Sequence, residues 1–438
     1  MKDTGKPNHG RSPLPLVAIT GTRGKSTVAW LLYQMARARQ LATGLWCTSG
    51  VFMNGHQLEG ELHPWTAIVR ALAAGELDLA IQELEAPVVA SVGLPEASYG
   101  YAAITTLCGN DDGCLLASET RYAARAHEIV ARAVHPMGTL VLNADDPAVL
   151  ELAERSDARI VLFGLHPENP AIRRCRETGA PAIWCREGVI VANRALWEIG
   201  ARAAFQSSLR SEKSMLSVAA KTAENHGEAR SVDPQEWDNG AEIPLLDARD
   251  APCTLGGTLT FQIQNVMCAA ALALALGVPL TTIRAVARTF LPNPTVLPGA
   301  CNLFTLQGRD VLIDSARYPW MLRPLIRGIR QRNPRNTFVI VHDFPWLTTQ
   351  ELHEVGRILG KIRGLIIVYG PASEDRLHAL REGIVQNPMP PVVAMQPSLA
   401  HALRYALSLS RNGDLCLILA DNALDAITTL ERFEFEIA

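Results

Sequence analysis

The stretch AITGTRGKSTVAWLL restricts what this chain can fold into more than any other part of it. Leu14 to Thr20 form a short apolar run that ends in a glycine-containing turn, after which Val28, Leu31, Leu32 and Met35 recur at helical spacing. Buried strand, loop and helix are the expected order. Gly21 and Gly24 let successive backbone N–H groups turn toward one anion, and the following helix adds the positive end of its dipole. A phosphate is the natural occupant. Lys25 would neutralise β/γ-phosphate charge, while the hydroxyl of Ser26 or Thr27 would reach Mg²⁺. The run is shorter than a full G-x-x-x-x-G-K-[ST] pattern, which needs a glycine where Ile19 stands. The plain alternative, an ordinary glycine turn before a helix, does not account for a lysine followed by two hydroxyl residues. ATP binding is the expectation.

After residue 300 the same alternation returns: RDVLIDSA, TFVIVHD, GLIIVYG and DLCLILAD are apolar runs of strand length, separated by helix-like segments such as SLAHALRYALSLS. Runs of this kind suit parallel strands with helices on both faces, so the expected class is α/β. At 438 residues the chain is too long for one ordinary core. The prolines of LPNPTVLPG remove amide donors and place the expected linker near residues 291–299. The expected plan is a tail over 1–13, a first domain over 14–292 with a polar surface insertion near 206–239, and a second domain over 293–438. A net charge of −3 without a long basic run gives no reason to expect nucleic acid or an anionic membrane as partner. The polar start and the shortness of ALALALGV point to a cytoplasmic protein with no membrane span. Nine cysteines without a CxxC pair indicate neither a disulfide framework nor a zinc ribbon.

GTRGKST resembles the G-T-N-G-K-[ST]-[ST] loop of Mur ligases, with Arg23 in place of the usual Asn. Further segments keep order and spacing with the ligase half of cyanophycin synthetases: GVFMNGHQLEGELHPW, LVLNADDP, TLTFQIQNVMCAAALALALGV, LPGACNLFTLQGRDVLIDSARYP and GDLCLILADNALD. The resemblance covers about residues 15 to 432. It implies a central P-loop ATPase domain followed by a smaller Rossmann-like domain, without the ATP-grasp half that precedes the phosphate loop in cyanophycin synthetases.

The resemblance also implies roles. Gly21, Thr22, Arg23, Gly24, Lys25, Ser26 and Thr27 would hold the nucleotide, with Asn143, Asp145 and Asp146 of LNADDP nearby and Asn265 of FQIQN at the adenine. For LNADDP the alternative is a capped turn, and for Asn265 a helix cap. Glu83 matches the glutamate that holds Mg²⁺ in the family, and Glu85 competes with it two residues on. Asp314 ends VLIDSA and matches the Asp of D-Y-A-H-N-P, at the carboxyl end of a strand where α/β sheets bind ligands. Four matched positions depart from the pattern. D-H-x-G becomes Asn110, Asp111, Asp112 and Gly113; the following family Lys falls on His127; the Arg of P-G-R becomes Ala300; and the His and Asn of D-Y-A-H-N-P become Arg317 and Tyr318. Two compensations are expected: Arg317 as a relocated phosphate contact, and Glu83, Asp111 and His127 with Ser26 as a rewritten Mg²⁺ site that would also suit Mn²⁺.

The activity implied is activation of a carboxylate by ATP and its joining to an amino acid amine, with Lys25, Glu83, Asp111, His127 and Arg317 as the catalytic set. Amino acids or peptides would be the substrates. The rival expectation is a catalytically degenerate nucleotide-binding subunit that partners a separate ATP-grasp protein. Acceptor, incoming amino acid and any homo-oligomer stay open at this point.

Overall fold

The computed structural model describes residues 14–59, 63–107, 117–203, 242–306, 308–371 and 373–437. The described chain divides into two compact units. One comprises the described residues up to Leu246 together with Gln264–Val286, and the second comprises Asp247–Ile263 and the chain from Ala287 onward.

The first unit is built on an eleven-stranded sheet. Its strands are β1 (Leu16–Thr20), β2 (Thr43–Cys47), β3 (Gly50–Met53), β4 (His56–Leu58), β5 (Leu79–Glu83), β6 (Tyr99–Ile104), β7 (Val134–Asn143), β8 (Arg159–Gly164), β9 (Ala182–Arg186), β10 (Val189–Asn193) and β11 (Glu242–Asp247). They lie in the order β11-β10-β9-β8-β7-β6-β1-β5-β2-β3-β4. From β9 through β2 neighbouring strands run parallel, whereas β2, β3 and β4 form an antiparallel margin. Every residue of β1 and β5 is buried, as expected of strands covered on both faces. Helix α1 (Lys25–Ala38) packs on this sheet, and Val28, Leu31, Leu32 and Met35 are all without solvent exposure. Helices α2 (His63–Ala74), α3 (Ala86–Val92) and α4 (Ala117–Arg132) follow in turn.

The second unit carries a six-stranded sheet of β12 (Ala300–Leu306), β13 (Arg309–Asp314), β14 (Thr337–Val341), β15 (Gly364–Tyr369), β16 (Val392–Gln396) and β17 (Leu415–Leu419), in the order β12-β13-β17-β14-β15-β16. All neighbours are parallel except the β12–β13 hairpin. Alternate strand residues feed two cores. Leu312 and Leu417 join Leu322, Leu325, Leu352 and Leu380 on one face, while Ile313 and Ile418 join Leu403, Ala406 and Ile427 on the other. That period of two explains why these runs are apolar throughout.

The division does not fall only at the expected linker near 291–299. Leu255 and Leu259 are buried in the same core as Leu322 and Leu325, which draws Asp247–Ile263 into the second unit. The approach is close: a Cβ on Gly328 would lie 2.7 Å from the Thr258 carbonyl oxygen. The proline segment itself is tied down by Asn302, whose amide donates to the carbonyls of Pro292 and Leu297. The expected tail and the insertion near 206–239 lie outside the described residues. Among the described residues no helix is long and apolar enough to cross a membrane.

Candidate phosphate-binding site

β1 ends at Thr20 and α1 begins at Lys25, so Gly21–Gly24 is the whole connection. Its path requires both glycines. Gly21 and Gly24 have φ of 134° and 90°, and a Cβ on either would come within 2.1 Å of Thr105 Oγ1 or Asn265 Oδ1 respectively. The first helical bond runs from the Val28 amide to the Gly24 carbonyl, so the amides of Lys25, Ser26 and Thr27 have no acceptor within the helix. No side chain caps this end and no acidic residue sits in its first turn. A turn with glycine at both ends that leads into uncapped amides fits a phosphate group.

The register of β1 and β5 pairs Ile19 with Glu83, which puts the Glu83 carboxylate beside the loop. The Ser26 hydroxyl donates to Glu83 Oε1 at 2.8 Å, and the Thr48 amide donates to Oε2 at 3.1 Å. A hydroxyl facing a carboxylate is an all-oxygen donor set, which suits a hard cation such as Mg²⁺. Lys25 Nζ lies 3.2 Å from the Glu85 carboxylate. Both glutamates of the QELE segment therefore reach the loop.

Residues that the sequence reading passed over hold the loop in place. The Thr22 amide and hydroxyl both donate to the Thr106 carbonyl, at 2.7 and 3.0 Å, and the Thr105 hydroxyl donates to the Arg23 carbonyl at 2.7 Å. Their signal in the sequence is the hydroxyl pair that closes the apolar run YAAITT of β6.

LNADDP supports this clamp. The Asn143 amide donates to the Thr105 carbonyl at 2.8 Å. Asp146 accepts from the Thr106 hydroxyl and from the amides of Leu107, Ala148 and Val149, with almost no solvent exposure. The capped-turn reading thus describes Asp146, which caps the short helix Pro147–Leu150 and also braces the clamp. Asp145 accepts from the Leu165 amide and from the side chains of Asn169 and Gln264. Asn265 lies inside the helix Thr260–Ala275, which removes the helix-cap reading and leaves its side chain against Gly24.

His127 is fully buried on α4, and Asp111 lies outside the described residues. Among the described residues no group of three or more His, Cys, Asp or Glu side chains is arranged to hold a metal ion. In the second unit Asp314 is buried and accepts from the Cys301 thiol at 2.9 Å. Arg317 is about half exposed, with its guanidinium over the Trp346 ring at 5.5 Å and 3.8 Å from Asp421. An open cavity of about 470 Å³ is lined in part by Trp46, Cys47, Thr48, Gln57 and Glu59, and the Thr48 amide donates to Glu83.

A glycine loop of this build, with Ser26 against a strand-end glutamate, suits a nucleotide phosphate, and residues 19–179 match the Mur ligase middle domain. The match covers the N-terminal part of the chain, which is similar over those residues to the middle domain of Mur ligases. More particularly, the chain is similar to curated cyanophycin synthetases. It is 25% identical over 390 residues to that of Synechocystis sp., covering 87% of this chain and 39% of the relative, and 26% identical over 436 residues to that of Crocosphaera subtropica, covering 97% and 44%. The chain thus spans less than half the length of these relatives. In fold it is similar to MurF from Acinetobacter baumannii, with a TM-score of 0.58, 16% identity, and 96% of this chain and 76% of that one covered. A pseudomurein peptide ligase type C from Methanothermus fervidus matches with a TM-score of 0.57 at 16% identity, covering 97% and 80%.

Proposed function

We propose that this chain is an ATP-dependent carboxylate–amine ligase that activates a carboxylate as an acyl phosphate and joins it to an amino acid amine. The observation that carries the reading is Ser26 against Glu83 at the head of α1, with Lys25 one residue away. In this reading the amides of Lys25, Ser26 and Thr27 and the Lys25 ammonium bind the phosphates. Ser26 and Glu83 would hold Mg²⁺, which would supply positive charge beside the phosphates. Asn265, packed against Gly24, lies toward the base. The cavity at Thr48 seats the carboxylate substrate, because the Thr48 amide that lines it donates to Glu83, the partner of Ser26. Asp111 with His127 is proposed as a further contact to the metal.

ADP release measured across a panel of acceptors and amino acids tests this reading. Release that depends on both an acceptor and an amino acid supports it. ATP binding without turnover on any pair, relieved by a separate ATP-grasp protein, would support the degenerate-subunit reading instead.

A further inference from the structure

Glu85 occupies the N-cap position of α3, yet its side chain makes no cap hydrogen bond there. A residue present for capping would spend its oxygen on the first free amides of its own helix. The Glu85 carboxylate instead meets Lys25 Nζ at 3.2 Å, with Lys25 largely buried and Glu85 half exposed. Glu83, on the adjoining strand end, accepts from Ser26. Consecutive residues at the head of α1 are therefore each matched to a carboxylate, and the cation that would meet a phosphate already has a partner.

This arrangement has an electrostatic consequence for any occupant. A phosphate oxygen in contact with Lys25 would lie within about 6 Å of the Glu85 carboxylate, close enough for repulsion to count where water is partly excluded. A bare polyphosphate brings only negative charge to a loop whose lysine is already half neutralised. A metal-complexed polyphosphate brings a cation of its own, which offsets that repulsion. We propose that Glu85 is a selectivity residue of this loop: its carboxylate makes the loop accept metal-complexed ATP and disfavour the metal-free nucleotide. The proposal rests on the reading that this loop binds ATP.

Calorimetric dissociation constants for ATP, measured once in excess Mg²⁺ and once in EDTA, test it in the full chain. Glu85→Gln should raise metal-free affinity about tenfold, consistent with removing one nearby like charge from a half-exposed position. Affinity for the Mg²⁺ complex should change by less than about threefold, so the ratio between the two media falls. Glu85→Asp, which keeps the charge, should retain the wild-type ratio. An unchanged ratio in Glu85→Gln overturns the proposal, and so does a loss confined to the Mg²⁺ complex, which would make Glu85 a metal ligand. Lys25→Ala separates the two levels of inference. If it loses nucleotide in both media while Glu85→Gln leaves the ratio alone, only the role of Glu85 fails; if Lys25→Ala binds as wild type, the phosphate-loop reading fails with it.

Discussion

The carboxyl ends of the parallel strands in the two units can be compared directly, since each gathers charged and polar side chains at the same edge of the same kind of sheet. In the first unit the groups after β1, β5, β6 and β7 are linked in one direction. Asp146 and Asn143 hold Thr105, Thr106 and Leu107, and the threonines hold the glycine loop. The loop leads into a helix end with no side-chain cap. In the second unit the corresponding groups close on one another. Asp314 accepts from Cys301, Arg317 lies over Trp346, and His342 Nδ1 accepts from the Phe344 amide with Phe344 and Trp346 around its ring. Sheet topology alone does not make a phosphate seat. The difference lies in whether the loop after a strand turns its amides outward, which needs glycine and an uncapped helix, or spends its polar atoms locally.

The largest effect that would break this contrast is expected at Lys25. Lys25→Ala should cost about 100-fold in ATP affinity, roughly 2.7 kcal/mol, without a change in melting temperature, because a charge-assisted phosphate contact is lost and no core is disturbed. Equal affinities by calorimetry would remove the distinction between the two strand-end edges. Asp146→Ala comes next, with a loss of about 2 kcal/mol in unfolding free energy, because the buried Leu107 amide loses its acceptor. Urea denaturation measures it, and a loss of nucleotide affinity should accompany it if the clamp positions the loop.

A smaller effect is expected from pH in the second unit. Burial is the main cause that lowers the His342 pKa from its ordinary value, against the opposing pull of Asp421 and Asp343 and with a further lowering from Arg317. The folded state thus binds fewer protons than the unfolded chain below about pH 6.5. His342 contributes its full stability above that pH and loses it progressively as pH falls through the folded value. His342→Gln should flatten the slope of stability between pH 7 and 5 measured by thermal melting, and an unchanged slope would assign the pH response to other groups. Smallest of all, Arg317→Ala should change unfolding free energy by less than about 1 kcal/mol, since an exposed ion pair and ring contact contribute little. A larger loss by denaturation would show that this edge is held by more than local contacts.

Much of the fold was legible along the chain. Every apolar run expected as a strand after residue 300 forms one, and SLAHALRYALSLS contains the helix Leu399–Leu409. Strand β16 was not legible, because Val392–Gln396 follows a proline-rich stretch at the sheet edge and is not buried as a continuous run. The assignment of Asp247–Ile263 to the second unit was hidden too, since only packing reveals that Leu255 and Leu259 share a core with Leu322.

For the site, the local sequence by itself determined the glycine turn, the lysine and the hydroxyl of Ser26, because chain geometry and residue chemistry within a few positions decide them. It also presented Glu85 as a competitor of Glu83, which only the resemblance favoured. Strand register and side-chain direction separate their contacts: pairing with Ile19 carries Glu83 to Ser26, and the turn into α3 carries Glu85 to Lys25. The Thr105–Thr106 clamp, and the way Asp146 serves it from 40 residues away, likewise belong to tertiary structure alone. Hydrogen bonds between strand ends depend on which strands are neighbours, and no local pattern in the sequence encodes that order.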